Sequence, residues 1–479
     1  MINRTIVLAL TILTCLSLSA QEWVEKMNDP NVNFYEVVKA YETHFEGKSY
    51  EKGKGMKQFE RWRYFMEPRV YPSGERIDPL IAFDEKAKFE KQNTLKPNNK
   101  SANWTPLGPT SLQSYSCNPG HGRVNSIRVD PNNPNTIYIG TPAGGCWKST
   151  NGGQSWFPIT DNLPVIGVTD IAINPSNSNE IYISTGDGYG GDTYSIGVLK
   201  SLDGGQTWNT TGLNFFRSQN LRSRKLLMNP LNPNVLWVST AAGLFKTSNG
   251  GISWVSVLSG DINNVKMKPG DTSVVYASSD QFYKSIDAGN TFTQITSGMG
   301  SSSAINRLEI AVTPANSNYV YAIAGKQSDS GYEGLYLSIN SGNSFTKMSS
   351  TPNILTYASD GIGTGGQSWY DLAIAVNETN ANEVYVGGIN VWKSTNAGVN
   401  WTIQSHWTYP STIGYTHADI HSLEWYNGTL YCGSDGGIFK SSNNGSTWLN
   451  LSEGLQIMQL YKMAQTEMDS NICLLYTSP

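Results

Sequence analysis

The sequence predicts an all-β fold, a β-propeller of seven recognisable four-stranded blades with a partial further blade, preceded by a short helical region. Three observations predict it: an eight-residue pattern occurs seven times, strand-like segments surround each copy, and 47 glycines accompany a low content of charged residues. This composition is typical of short strands joined by many turns. Regular repeats indicate an array of small β units, and four-stranded units in radial repetition are propeller blades.

The repeated pattern is Ser/Thr-x-Asp/Asn-x-Gly-x-x-aromatic. It suits a tight turn between two strands, because the Asp or Asn side chain caps the turn and glycine tolerates a positive φ. The aromatic side chain then anchors the next strand in an apolar layer. The seven copies occupy residues 149–156, 201–208, 247–254, 285–292, 338–345, 394–401 and 441–448.

Each copy lies between the third and fourth predicted strands of a blade. In the first blade, alternating apolar segments bounded by turn residues predict strands at 124–131, 136–141, 144–149 and 155–159. Residues 104–107 resemble 156–159, so we expect a lone outer strand there that closes the ring. After the last copy, residues 460–465 and 472–476 predict two strands of an incomplete unit, which indicates a C-terminally truncated propeller over 104–479.

The pattern resembles the Asp-box (BNR) repeat of sialidases, sortilin-type ectodomains and xyloglucanase-type glycoside hydrolases. The resemblance covers about residues 104–466 and implies a secreted, WD40/YVTN-like propeller. It leaves the activity open, since all three groups share the repeat. Five of the seven copies carry Asn where an acid would be needed. We therefore interpret the repeats as structural turns.

Residues 1–20 have the features of a secretory signal peptide, with Arg4 before an apolar stretch and the small residues Ser19 and Ala20 at its end. An exported protein, extracellular or on a bacterial cell surface, is therefore expected. A membrane anchor is the weaker alternative, because the apolar stretch is short. No second segment is apolar enough to span a bilayer, so the mature chain should have no transmembrane segment.

Residues 21–103 predict a helical N-terminal region and a linker. Apolar residues recur at helical spacing over 34–45, with Asn33 and Glu36 as a capping box and Gly47 as a stop. A second helix is predicted over 56–66, ending before Pro68. Residues 84–101, rich in Lys, Asn and Glu, are interpreted as the linker.

Charge and cysteine content exclude some functions. The net charge is −4 without a basic run, so a nucleic-acid partner is not expected. Four cysteines follow the signal peptide, and export would allow them to pair in a way that the sequence leaves open. They are Cys117, Cys146, Cys432 and Cys473. None has CxxC spacing, and we expect neither a metal nor a cofactor.

The longer repeat intervals place their extra residues in loops that should gather on one face. These loops carry aromatic side chains, which suit stacking on carbohydrate or peptide ligands. The alternative is ordinary packing of the loops over the ring. The aromatic residues are Tyr189, Tyr194, Tyr332, Trp369, Trp407 and Tyr409.

The sharpest polar cluster is His417, Asp419 and His421, at the entry to the seventh first strand. Alternation places the three side chains on one side if the segment is extended. Asp419 could hold the two imidazole rings in place, or the three side chains could contact a sugar or other ligand or bind a divalent metal. Aligned first strands also give a column in which every residue is polar, either a solvated channel or a binding ring. Its members are Asn125, Thr169, Arg224, Asn263, Asn306, Tyr370 and His421.

The resemblance also implies where catalytic residues would lie. The Phe-Arg-Ile-Pro segment of sialidases is absent, and residues 141–145 lack the aspartate that the xyloglucanase type carries there. We therefore expect a non-catalytic module that binds or adheres to an extracellular glycan or peptide. A glycoside hydrolase of the xyloglucanase/BNR type is the alternative. The expected ligand-binding residues are His417, Asp419, His421, Asp187, Trp369, Trp407 and Asp435.

Overall fold

A computed structural model describes residues 22–76 apart from 30 and 50–54, a few positions between 85 and 92, residue 111, and much of 118–477. Within the last range it leaves out 164, 192, 216–218, 220, 410–411 and 466–472. The chain divides into two compact units, Met1–Trp104 and Thr105–Pro479. The predicted signal peptide and the predicted outer strand at 104–107 lie outside the described residues, and so does most of the linker.

The described residues of the first unit include the helices α1 (Glu22–Asn28), α2 (Phe34–Phe45) and α3 (Met56–Val70). The predicted bounds of α2 are confirmed, and the Asn33 side chain caps the helix by accepting from the Tyr35 amide at 2.9 Å. Its buried stripe includes Phe34 and packs around Trp23 of α1. This apolar stripe holds the three short helices together.

Helix α3 is longer than predicted, because it continues through Pro68 to Val70. Proline removes one backbone donor and usually ends a helix. Here Val70 is buried in the core of this unit, and the Tyr71 amide still donates to the Glu67 carbonyl at 3.1 Å. The packing of the last helical turn therefore outweighs the tendency of Pro68 to end the helix.

The second unit is a propeller of seven four-stranded antiparallel blades, as the repeats predict. Within each blade the strands pair in chain order. Blades one to three are β1 (Ser126–Asp130), β2 (Asn133–Thr141), β3 (Gly145–Ser149), β4 (Phe157–Pro158); β5 (Val168–Ile173), β6 (Ile181–Thr185), β7 (Gly197–Ser201), β8 (Asn209–Asn214); and β9 (Ser223–Met228), β10 (Leu236–Thr240), β11 (Gly243–Thr247), β12 (Val255–Ser259).

The remaining blades follow the same order. Blades four and five are β13 (Asn264–Lys268), β14 (Asp271–Ser278), β15 (Phe282–Ser285), β16 (Thr293–Ile295) and β17 (Ile305–Val312), β18 (Val320–Lys326), β19 (Tyr332–Ser338), β20 (Thr346–Ser349). Blades six and seven are β21 (Ala373–Val376), β22 (Val384–Gly387), β23 (Val391–Ser394), β24 (Thr402–Ser405) and β25 (Ile420–Tyr426), β26 (Thr429–Ser434), β27 (Gly437–Ser441), β28 (Leu449–Asn450).

The core consists of apolar layers between neighbouring blades. Tyr138 and Cys146 of the first blade pack against Ile171 and Ile183 of the second, for example. Second strands are therefore buried on both faces, whereas fourth strands such as β12 are largely exposed. This burial gradient brings the first strands together near the axis and places their leading ends at one mouth, which we call the upper mouth.

Every repeat forms the same turn. In the first copy, Ser149 Oγ donates to Asn151 Oδ1 and accepts from the Gly153 amide, both at 2.9 Å. Asn151 Oδ1 also accepts from the Ser155 amide at 3.0 Å. The same three contacts recur in the other six copies. The defining polar side chains therefore build the turn.

The ring closes between blades seven and one. The Val124 amide donates to the Ser434 carbonyl at 2.9 Å, and Trp156 Nε1 donates to the Leu451 carbonyl at 2.8 Å. Within the channel, Arg128 bonds to Glu424 of the seventh blade at 3.0 Å. Beyond the ring, β29 (Leu460–Gln465) and β30 (Cys473–Thr477) pair with each other as a two-stranded sheet, where a partial further blade was predicted.

Two further expectations concern cysteines and membranes. Cys146 and Cys432 are buried free thiols in blades one and seven, so neither forms the disulfide that export would allow. Cys117 lies outside the described residues. Among the helices that the structure describes, none combines the length and the hydropathy that crossing a membrane requires.

Candidate functional site

A cluster of polar side chains lies at the upper mouth, where the chain enters the first strands of blades six and seven. Asp435 follows β26 and accepts a hydrogen bond from His421 Nε2 at 2.8 Å. Its other oxygen accepts from the Tyr370 hydroxyl at 2.9 Å. The strand alignment placed Tyr370 and His421 in one polar column, and the structure brings both onto one carboxylate.

A buried ion pair joins this cluster to the loop of blade two. Arg123 precedes β1, and its Nη2 lies 2.7 Å from Asp187 Oδ2. The guanidinium also lies over the Tyr370 ring, 5.2 Å from its centroid. Asp187 and Asp435 therefore belong to one network through Arg123 and Tyr370. Sequence reasoning named Asp187 but missed this pairing.

Asp419 occupies a bend, not an extended strand. Its φ is +63°, in the left-handed region, and the Asp435 amide donates to the carbonyls of both Ala418 and Asp419 at 3.2 Å. The left-handed residue breaks the alternation, so the prediction that His417, Asp419 and His421 share one side of an extended segment is wrong. The bend instead places the Asp419 carboxyl near that of Asp435.

The two carboxyl groups have pKa values shifted in opposite directions. Burial and the negative charge of Asp435 raise the pKa of Asp419 to about 7. Burial also acts to raise the pKa of Asp435, but the His421 hydrogen bond, the Arg123 charge and the Tyr370 hydroxyl hold it below its usual value. Near neutral pH the site therefore contains an ionised carboxylate beside a carboxyl group that is partly protonated.

Burial lowers the pKa values of His417 and His421, even though the charge of Asp435 opposes this. His421 is therefore a neutral imidazole that donates through Nε2. The His417 ring packs against Gly436, where an added Cβ would lie 2.2 Å from the ring. Both histidines position the loop around Asp435.

The structure adds Asp371, which sequence reasoning did not select. This residue is buried, and neither carboxyl oxygen has a hydrogen-bond partner among the described residues. Burial and the charges of Asp419 and Asp435 raise its pKa well above the usual value. Its position next to Tyr370 was the signal in the sequence that could have found it.

The predicted aromatic residues do not all gather at this cluster. Trp369 is exposed, and its ring centroid lies 5.4 Å from that of Tyr370. Trp407 packs elsewhere, where its indole nitrogen donates to the Tyr357 carbonyl at 3.2 Å. Tyr332 is buried and packs in the core. This agrees with the alternative that the loop aromatics pack over the ring.

No group of three or more His, Cys, Asp or Glu side chains within the described parts of the chain has a geometry that could hold a metal ion. The upper mouth holds neighbouring carboxyl groups whose pKa values are shifted in opposite directions. That combination suits the transfer of a proton to and from a bound substrate.

No family model matches the chain. A xyloglucanase of Paenibacillus sp is 26% identical over 166 residues, which cover 32% of this chain and 16% of that protein. A xyloglucanase of Hypocrea jecorina (strain QM6a) is 25% identical over 271 residues, covering 47% of this chain and 32% of that protein. The chain thus spans less than a third of the length of either relative.

Solved structures show the same fold. The GH74 xyloglucanase of Xanthomonas campestris superposes with a TM-score of 0.57 at 16% identity, covering 74% of this chain and 58% of that one. An ancestral GH74 enzyme gives a TM-score of 0.55 at 19% identity, covering 76% and 48%. The Niastella koreensis GH74 enzyme gives 0.52 at 21% identity, covering 71% and 55%.

These similarities correct the functional expectation. A non-catalytic module for binding or adhesion was the main interpretation, with a glycoside hydrolase as the alternative. Both curated relatives are xyloglucanases, and the solved structures of the same fold include a GH74 xyloglucanase. The findings therefore favour the alternative. The absence of an aspartate at 141–145 was not sufficient to argue against hydrolysis, because carboxyl groups from other loops lie at the same mouth.

Proposed function

We propose that this protein is a glycoside hydrolase that cleaves a β-glucan of the xyloglucan type at the upper mouth of the propeller. The observation that carries the proposal is the pair Asp419 and Asp435, neighbouring carboxyl groups whose pKa values move in opposite directions. Glycoside hydrolysis uses one carboxyl group as an acid and a second as a base or nucleophile. Separated pKa values assign these two roles.

In this mechanism Asp419 is the general acid. It is partly protonated near neutral pH and more fully protonated below it, and it donates this proton to the glycosidic oxygen as the bond from the anomeric carbon to that oxygen breaks. Asp435 is the base, and it accepts a proton from the water that attacks the anomeric carbon. Tyr370 and His421 hold the Asp435 carboxylate in place, because each donates a hydrogen bond to it.

This arrangement departs from the xyloglucanase pattern that the sequence resemblance implies. Pro142 occupies the place where that pattern has an early-blade aspartate, and the hydroxyl of the buried Thr141 before it donates to the Gly145 carbonyl at 2.9 Å. In the proposed site both acid and base come from the seventh blade, on the segments before β25 and after β26. We further propose that the turns are Asp-box repeats and that the protein is exported, because a polysaccharide substrate is extracellular.

The test is hydrolysis of xyloglucan by the full chain, measured as release of reducing ends. We expect Asp435→Asn and Asp419→Asn each to lower kcat by about a hundredfold or more, the usual contribution of acid–base catalysis. Glu453→Gln is the matched control, because Glu453 is an exposed carboxylate beyond β28 and its substitution should leave the rate unchanged. Wild-type rates in both Asp variants, or no release by the wild type, would contradict the proposal.

A further inference from the structure

We infer that a groove over blades three to five binds an uncharged stretch of the polysaccharide next to the cleavage site, with Trp369 as its stacking platform. The inference rests on the proposed function, because it assigns a chain-binding surface to that same site. The groove has a volume of 590 Å³ and is lined by the loops that enter β13 and β17. The sequence singles out Trp369 as a ligand-binding residue, and this residue lines the groove.

Trp369 gives the groove its contact surface. Its side chain is 57% exposed, although large aromatic side chains are usually covered. The flat face of an exposed indole ring suits the apolar face of a sugar ring. The adjacent residue Tyr370 bonds to Asp435, so a sugar stacked on Trp369 lies beside the proposed base.

The floor of the groove is held by side-chain contacts and shares a loop with the site. The Tyr189 ring contacts two guanidinium groups, and its centroid lies 3.7 Å from that of Arg307 and 5.4 Å from that of Arg224. Its hydroxyl donates to Glu309 at 3.1 Å. Two residues earlier, Asp187 forms the ion pair with Arg123. A preformed surface loses little conformational entropy when a ligand binds.

The charge of the groove selects the class of sugar. Arg224 is already bonded to Asp261 at 3.1 Å and Arg307 to Glu309 at 2.6 Å, so neither offers an uncompensated positive charge. Asp280 adds a carboxylate, and within the described part of the chain no cationic side chain forms an ion pair with it. A glycan that carries uronate groups would be repelled, whereas a neutral one would not.

The experiment measures binding apart from turnover. In the full chain with Asp435→Asn, cellohexaose and a xyloglucan oligosaccharide are titrated by calorimetry, with oligogalacturonate as the acidic probe. We expect the neutral probes to bind and Trp369→Ala to weaken them at least tenfold. Tyr357→Ala is the control, because Tyr357 is an exposed aromatic residue on another loop and its removal should leave the affinity unchanged. Asp280→Lys should increase the affinity for oligogalacturonate.

The outcomes separate this inference from the proposed function. If the wild type hydrolyses xyloglucan while Trp369→Ala binds as tightly as its parent, the groove assignment is wrong and the hydrolase stands. Trp369-dependent binding without any hydrolysis would support the groove and contradict the hydrolase. Failure of both neutral probes to bind, or equal binding of oligogalacturonate, would overturn the groove assignment.

Discussion

Asp435 shows how single residues define the proposed chemistry. A carboxyl group this deeply surrounded would ordinarily hold its proton, because burial penalises the charged form. Hydrogen bonds from His421 and Tyr370 and the charge of Arg123 reverse that preference. Among the described residues no side chain donates a hydrogen bond to Asp419, and burial and the Asp435 charge raise its pKa. The acid and base roles thus follow from the different partners of two neighbouring groups.

The first prediction is a bell-shaped dependence of kcat on pH. Activity should fall as the pH rises through about 7, because Asp419 then loses the proton that it must donate. It should also fall in acid, where Asp435 gains a proton and can no longer act as a base. The profile is measured on xyloglucan, and a rate that continues to rise above pH 8 would exclude Asp419 as the acid.

The second prediction concerns Tyr370→Phe, which removes one hydrogen bond from the Asp435 carboxylate. Because that bond favours the ionised form, the pKa of Asp435 should rise, and the acid limb of the profile should move up by roughly half to one pH unit. Tyr357→Phe serves as the control and should leave both limbs in place. An unshifted acid limb in Tyr370→Phe would show that another group controls it.

At the scale of one element, the repeated turn explains why the eight-residue pattern recurs. The hydroxyl of the first residue accepts from the glycine amide, and the Asx oxygen accepts from the amide of the residue directly before the strand-anchoring aromatic. Hydrogen bonds from Thr291 and Ser285 lower the pKa of Asp287, so this carboxylate caps its turn over the whole neutral range. The polar pattern is therefore a stability device repeated seven times.

The third prediction tests that device. Ser285→Ala leaves the buried Gly289 amide without its acceptor and should lower the free energy of unfolding by about 1–3 kcal/mol. Ile286→Ala in the same turn changes an exposed side chain and should cost no more than about 0.5 kcal/mol. Denaturant titration measures both. Equal stabilities of the two variants would show that the hydroxyl does not support the turn.

At the scale of the whole molecule, the ring closes through contacts between the chain's seventh and first blades. Each of these blades is complete in itself, so closure relies on side chains and on the segment before β1. Trp156 contributes by donating across the joint to the Leu451 carbonyl. By comparison, the indole nitrogen of Trp254 is buried without an acceptor among the described residues.

The fourth prediction uses that contrast. Trp156→Phe should lower stability by about 1–3 kcal/mol more than Trp254→Phe, because only the first leaves a carbonyl without its donor across the closing joint. The loss of ring volume is the same in both variants, and Trp254→Phe also removes a buried N–H group that has no acceptor among the described residues, which adds to the expected difference. Thermal melting of the full chain measures the difference, and equal melting temperatures would show that this bond does not hold the ring.

The sequence by itself determined the propeller, its seven blades, the turn in each and helix α2. All of these rest on local signals, such as the spacing of apolar residues, turn residues and an N-cap, which act within a few residues of the chain. The aspartates 187, 419 and 435 were also identified from the sequence. Their roles were not, because the prediction of an extended segment at Asp419 and the absence of an acid at 141–145 pointed away from catalysis.

Only the tertiary structure decided how these residues meet. Tyr370 and Asp435 are 65 residues apart in the chain, and Arg123 and Asp187 are 64 apart. The left-handed bend at Asp419 and the Asp371 carboxyl, which has no partner among the described residues, are likewise features that the three-dimensional structure reveals. Protonation states follow from burial and from charges brought close by the fold, and neither can be derived from local spacing. The architecture is therefore encoded locally, whereas the proposed acid and base exist only once the ring has closed.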